Sequence, residues 1–275
     1  MTLTRWKIPI LISYAYWNKG IELALTKWKG YYHLIIDSGA FTAFKQGKEI
    51  SLEDYCNFCK NPPVPIERYF TLDKIGDPEV TKINFQKMID FGLNPIPIFT
   101  RGGNEKDIDA FFQKSDLIGI GGIAGGVANI GGKQKNYLKF IMDIVGKRKV
   151  HWLGQAAENL MAFYKPYSVD SSNWSYGFRY GYTPVFYQGK MRYYYKRDIV
   201  SNKQDCRKKI RALGFDWEKC LQEDQWKQGD TILNDLSVKS YLEYSEFIES
   251  KLKTIYFLSM NSFSDINSFH QRRFQ

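Results

Sequence analysis

Three acidic residues stand where short apolar runs end. Asp37 follows His33-Leu-Ile-Ile, Asp73 follows Tyr69-Phe-Thr-Leu, and Asp170 follows Pro166-Tyr-Ser-Val. A carboxylate can act as a nucleophile or move a proton, depending on its surroundings. Runs of this length rich in Ile, Leu, Val and Phe read as interior strands of a parallel sheet. Such a sheet collects its strand C-termini at one edge, which is where ligands bind. Three acids at three such ends therefore predict one site, assembled from segments far apart in the chain, and an enzyme.

The elements that must position these acids alternate along the first two-thirds of the 275 residues. Strands are expected at 8–13, 33–36, 69–72, 95–99, 117–121, 150–153 and 167–169, with an eighth at 254–260. Helices are expected between them at 21–28, 52–60, 80–91, 106–113, 133–145 and 156–164, and a final helix from Ser264. Ser51-Leu-Glu-Asp54 has the form of a capping box, and Asp77-Pro78 places a capping acid before a proline at the first helical position. Repeated βα units of this spacing predict an α/β fold of the (β/α)8 TIM-barrel type rather than an open sheet. The whole chain, 1–275, reads as one barrel domain, with 175–253 as an insertion.

In that insertion Gly189 supplies the turn of an expected hairpin, 182–187 with 191–196, and polar helices follow around 203–213 and 238–252. Arg179, Lys190, Arg192, Lys196 and Arg197 alternate there with tyrosines, a composition suited to a nucleic-acid backbone and unstacked bases. The net charge of +10 favours polyanionic partners in the same sense. The four cysteines are too few for a disulfide scaffold, and Cys56-Asn-Phe-Cys59 has no second pair to complete a zinc site, so it reads as two thiols on one helix face. With no long apolar span and no secretory pattern, the expectation is a cytoplasmic protein with no membrane association and no cofactor.

The glycine run Gly119-Ile-Gly121-Gly122-Ile123-Ala-Gly-Gly126 lacks the acidic residue that would follow in a dinucleotide site. Glycines at a strand end instead let the backbone approach a flat ligand such as a nucleobase. Arg101-Gly102-Gly103, after the fourth strand, extends that floor or forms a turn. Tyr14 and Tyr16 stack on a base or pack in the core, and His151 reads as a packed core histidine.

Taken together, these motifs resemble the guanine transglycosylases. Asp37-Ser38-Gly39-Ala40-Phe41 resembles the family's Asp-Ser-Gly-Gly-Phe signature, and Gly121-Gly122-Ile123-Ala124-Gly125-Gly126 its Gly-Gly-Leu-Ala-Val-Gly loop. His151-Trp152-Leu153-Gly154 is similar to the sixth-strand segment, and Ser168-Val169-Asp170-Ser171 stands where the family has its nucleophile. The resemblance runs from Ile8 to Trp174. It implies Asp170 as the nucleophile at C1′ of the sugar, Asp37 as the acid/base, and Asp73 on the pyrimidine edge of the purine. Ser38 and the backbone of Gly121, Gly122 and Ile123 would complete the base pocket. Two carboxylates are what breaking an N-glycosidic bond requires, by the logic of retaining glycosidases.

The departures narrow the expectation. Nothing after Trp174 matches the zinc site of the tRNA-acting members, and Thr100-Arg101 stands where the family carries a glutamine. Compactness and the Val169-to-Trp174 form resemble the DNA-acting branch of phages and DNA-modification islands. The expected activity is exchange of guanine in DNA for a 7-deazaguanine such as preQ0, in the cytoplasm of the host if phage-encoded. The alternatives are a zinc-free tRNA-guanine transglycosylase and a non-catalytic nucleic-acid-binding paralogue.

Overall fold

A computed structural model describes residues 7–123, 132–175, 177–201, 204–226, 231–262 and 265–267. The chain divides into two compact units, residues 1–171 with 252–261, and residues 172–251 with 262–275.

The first unit is built on eight strands that are all parallel to their neighbours. They are β1 (Ile8–Ser13), β2 (Tyr32–Asp37), β3 (Arg68–Tyr69), β4 (Ile98–Phe99), β5 (Leu117–Ile120), β6 (Lys149–Trp152), β7 (Ser168–Ser171) and β10 (Ile255–Met260). The sheet order is β3-β2-β1-β10-β7-β6-β5-β4, so β10 joins the first and last parts of the unit by pairing with β1 and β7. The sheet curls as a half-barrel whose ladder does not close between β3 and β4. There the pairing is reduced to one bridge, Phe70 with Ile96, made by Thr71 N–H to Ile96 O (2.9 Å) and Ile96 N–H to Tyr69 O (2.8 Å).

Helices α1 (Lys19–Lys27), α2 (Ala40–Lys45), α3 (Leu52–Lys60), α4 (Pro78–Asp90), α5 (Lys106–Lys114), α6 (Gly132–Val145) and α7 (Glu158–Tyr164) lie between the strands in sequence. Their starts follow local chemistry. The side chains of Asn18, Ser51 and Asp77 accept from the backbone N–H of Ile21, Asp54 and Val80, satisfying amides that the first helical turn leaves unpaired. Most of these strands are buried on both faces, as a parallel sheet covered by helices requires: all six residues of β1 are buried, whereas the two of β3 are half-buried. One face carries Leu11, Ile35, Phe70, Ile96, Ile98, Leu117, Ile255 and Phe257, which pack together inside the curl.

The second unit contains α8 (Gly177–Tyr180), an antiparallel pair β8 (Tyr182–Tyr187) and β9 (Lys190–Tyr195), then α9 (Lys196–Val200), α10 (Gln204–Ala212), α11 (Trp217–Cys220) and α12 (Ile232–Leu252). Its own core includes Val185, Tyr194, Cys206, Ile210, Trp217 and Leu236. The expected helix from Ser264 lies largely outside the described residues.

Candidate active site

Successive residues of a strand point to opposite faces, so the inward set continues every second residue. Past the interior core, that set turns polar: Ser13 follows Leu11, Asp37 follows Ile35, and Ser259 follows Phe257. On β7 the same alternation carries Ser168 and Asp170. The three acids are thus brought to the C-terminal side of the parallel sheet by strand geometry alone.

Asp170 is 8% exposed and closely held. Its Oδ1 accepts from the Gly154 backbone N–H at 2.7 Å and lies 3.2 Å from His151 Nε2; its Oδ2 accepts from the Ser259 hydroxyl at 2.8 Å. His151 is fully buried between Phe70 and Phe257, with ring separations of 5.0 and 5.9 Å. Its Nδ1 is 2.8 Å from Ser168 Oγ. With Nε2 donating to Asp170, Ser168 caps the other nitrogen and fixes the ring, an assignment made from the hydrogen-bond network. His151 is buried in the core, as its place in the strand pattern suggests, and it also links Ser168 to Asp170.

Asp37 sits in a different environment. The Gly39 N–H donates to its Oδ2 at 3.0 Å. Burial pushes its carboxyl up to about 7, the negative charges of Asp73 and Asp170 push in the same direction, and the Gly39 and Ser38 amides offset part of the effect. Asp73 is also raised by burial, against the pull of the Ser38 hydroxyl, which donates to its Oδ1 at 2.8 Å. Ser38 is fully buried and in turn accepts from the Ala40 N–H at 3.2 Å. Asp37, Ser38 and Asp73 form one cluster at the ends of β2 and β3.

Gly39 makes this turn possible. It adopts φ +82°, and a Cβ there would stand 2.6 Å from Ala15 Cβ and 2.7 Å from Ser13 Oγ. No other residue type fits without displacing the end of β1.

The glycine floor is tied to the same edge. Tyr137 donates to Gly121 O at the long distance of 3.5 Å, and Gln155 Nε2 donates to Ile123 O at 3.1 Å. Gln155 directly follows Gly154, the donor to Asp170, so the floor and the Asp170 carboxylate are held by consecutive residues. Ala124, Gly125 and Gly126 lie outside the described residues. Of the two tyrosines, Tyr14 packs on Tyr55 and Phe58 (5.1 and 4.9 Å), whereas Tyr16 is exposed.

In the second unit Lys190, Arg192 and Arg197 are exposed. Lys196 is paired with Glu223 at 2.5 Å. The side chain of Arg179 lies outside the described residues. Tyr193 and Tyr195 are exposed on β9, while Tyr194 between them is buried, as strand alternation dictates.

Gly154 and Ser168 stand within motifs of the sequence but gave no sign there of holding Asp170 and His151, and nothing in the sequence marked Gln155. For Ser259 the signal was available, since it stands on the eighth strand at the position where the inward face turns polar. No residue set among the described residues is arranged to hold a metal ion, and no helix there is long and apolar enough to cross a membrane. No protein-family model matches the chain, and no curated protein matches it.

Proposed function

We propose that this chain is a pentosyltransferase that exchanges guanine in DNA for a 7-deazaguanine of the preQ0 type, through a covalent aspartyl-sugar intermediate. The observation that carries the reading is the unlike treatment of two neighbouring carboxyls. Asp170 is fixed by three donors, and Asp37 is shifted to about 7 beside it. A carboxyl that can give and take a proton near neutrality suits the acid/base role, and one fixed in place by hydrogen bonds suits attack on the sugar.

In the reaction an Asp170 oxygen bonds to C1′ of the target nucleotide as the bond from C1′ to N9 breaks, and the electron pair leaves with guanine. The protonated Asp37 carboxyl donates its proton to the departing base. The incoming base then gives its N9 proton to the Asp37 carboxylate, and N9 bonds to C1′ as the ester to Asp170 breaks. The strand stays attached to the protein throughout, so it is never left abasic. Asp73, with Ser38 behind it, would accept from the N1 and N2 hydrogens of the purine. The backbone of Gly121, Gly122 and Ile123 would lie along the base.

The frame in this reading is of the (β/α)8 barrel type, and active sites of such barrels lie at the strand C-termini. The second unit, with exposed Lys190, Arg192 and Arg197 beside exposed Tyr193 and Tyr195, would hold the strand. A guanine in duplex DNA has to be flipped out to reach such a site. The setting would be a cytoplasm, that of the host if the gene is carried by a phage.

The test is incorporation of labelled guanine into duplex DNA or into tRNA. Incorporation into DNA alone supports the proposal. Incorporation into tRNA alone points to a zinc-free tRNA enzyme, and binding without exchange points to a non-catalytic paralogue.

A further inference from the structure

Two of the three acids at this edge hold a serine hydroxyl, and the third does not. Asp170 receives the Ser259 hydroxyl at 2.8 Å, and Asp73 receives the Ser38 hydroxyl at 2.8 Å. The donors to Asp37 are backbone amides, those of Gly39 and Ser38. A serine nevertheless stands beside it. Ser13 ends β1, is the register partner of Asp37 on β2, and belongs to the same inward set. Its hydroxyl abuts Gly39: a Cβ on that glycine would lie 2.7 Å from Ser13 Oγ, and the Gly39 N–H is the donor to Asp37 Oδ2 at 3.0 Å. Ser13 is 8% exposed, and its Oγ makes no hydrogen bond among the described residues. A buried hydroxyl left in that condition destabilises the fold, and an alanine would not.

The other titratable groups around Asp37 are already engaged. Ser38 bonds Asp73, and Ser259, Gly154 and His151 bond Asp170. The buried Tyr55 hydroxyl on α3, which lies in the field of Asp37 and Asp73, donates to Phe70 O at 2.8 Å. A carboxylate is a far stronger acceptor than a neutral carboxyl. Burial and the two neighbouring acids favour the neutral form of Asp37 in the resting site, where the Ser13 hydroxyl has little to bond. That changes when Asp37 passes its proton to the departing base, and a turn about χ1 brings the hydroxyl to the new charge. We infer that Ser13 is a positioning residue for this proton transfer: its hydroxyl donates to the Asp37 carboxylate formed as the base leaves, and lets go when the incoming base returns a proton. Ser13 thereby makes the Asp37 proton easier to give up. This inference rests on the base-exchange reading above and adds to it a residue that the reading does not use.

The experiment follows Asp37 with and without catalysis, in wild type and in Ser13→Ala. Carbon-13 NMR of labelled aspartate titrates the carboxyls of the free protein, and the resonance missing from Asp37→Asn identifies Asp37. Wild-type Asp37 is expected to titrate at about 7, and Asp37 in Ser13→Ala about one pH unit higher, the scale of one hydrogen bond to a charged group. In single turnovers the fall in intermediate formation at high pH should move up with it, while the rate at lower pH drops roughly threefold or more because the acid is weaker. A denaturant melt near pH 4, where Asp37 is neutral in both proteins, should find Ser13→Ala no less stable than wild type. A loss of stability there would mean that the hydroxyl is already bonded in the resting site, and overturns the inference. So does a reaction slowed equally at every pH with the titration unmoved, the mark of a packing role alone; if wild type exchanges bases in that case, the base-exchange reading survives. If alanine moves the titration but wild type exchanges nothing, that reading falls and the Ser13 assignment stands.

Discussion

At the scale of single residues, Asp37 and Asp170 lie at the same sheet edge and differ in what surrounds them. A neutral Asp37 is favoured by burial and by the two nearby acids, so the folded state holds its proton more tightly than the unfolded chain does. The sign follows: stability declines as pH rises from about 4 to about 7, and the full penalty is present above that. A shift from 3.8 to about 7 corresponds to at most about 4 kcal/mol, at about 1.4 kcal/mol per unit. Asp37→Asn should therefore be more stable than wild type at pH 8, by up to a few kcal/mol, and equal to it near pH 4; denaturant melts at both pH values check this. Formation of the covalent intermediate, followed in a single turnover, should fall above about pH 7 in the wild type as Asp37 loses its proton. Asp170→Asn should give no trapped adduct by mass spectrometry while binding DNA as wild type does. Normal exchange by that variant would remove the nucleophile from the proposal.

Among elements, the turn from β2 into α2 matters most, because it sets Asp37, Ser38 and the approach to β1 together. Gly39 and Gly47 are both left-handed, at φ +82° and +65°, but a Cβ on Gly47 would meet nothing within 4 Å. Comparing alanine at the two positions separates backbone strain from collision. Gly47→Ala should cost about 1 kcal/mol, the strain of that conformation for an L residue. Gly39→Ala should cost about 3 kcal/mol or more and abolish exchange, because the end of β1 has to move. Unfolding midpoints measure the first effect and the exchange assay the second. Similar small losses at both sites would mean that β1 yields easily and that the turn is not what fixes the carboxylates.

For the whole molecule, the +10 charge and the exposed cations of the β8–β9 hairpin and α9 are the features that would hold a polyanion in the proposed reading. Lys190→Glu and Arg192→Glu should each weaken binding to DNA of any sequence and lower the slope of log K against log salt by about 1. Titrations at several salt concentrations read this directly. An unchanged slope in both variants would move the nucleic-acid surface away from the hairpin. Lys196 is expected to matter less, since Glu223 already neutralises it.

The sequence by itself determined the local features. Runs of β-branched and apolar residues defined the strands, the eighth at 254–260 included; Ser51 and Asp77 marked helix starts, and an acid near each of three strand ends marked the candidate edge. These follow from near-neighbour chemistry, which is written in consecutive residues. Boundaries were less legible where pairing is sparse: β3 and β4 are reduced to two residues each, joined only by the bridge of Phe70 to Ile96. Only the tertiary structure decided how the acids differ. Asp170 meets Ser259, 89 residues away in the chain, and His151, 19 residues away, because β7 pairs with β10 on one side and β6 on the other. Asp37 is raised because the curl of the sheet takes it out of water and turns two other carboxylates toward it. A carboxyl's proton affinity is set by its dielectric surroundings and its neighbours in space, and neither is a property of the residues beside it in the chain.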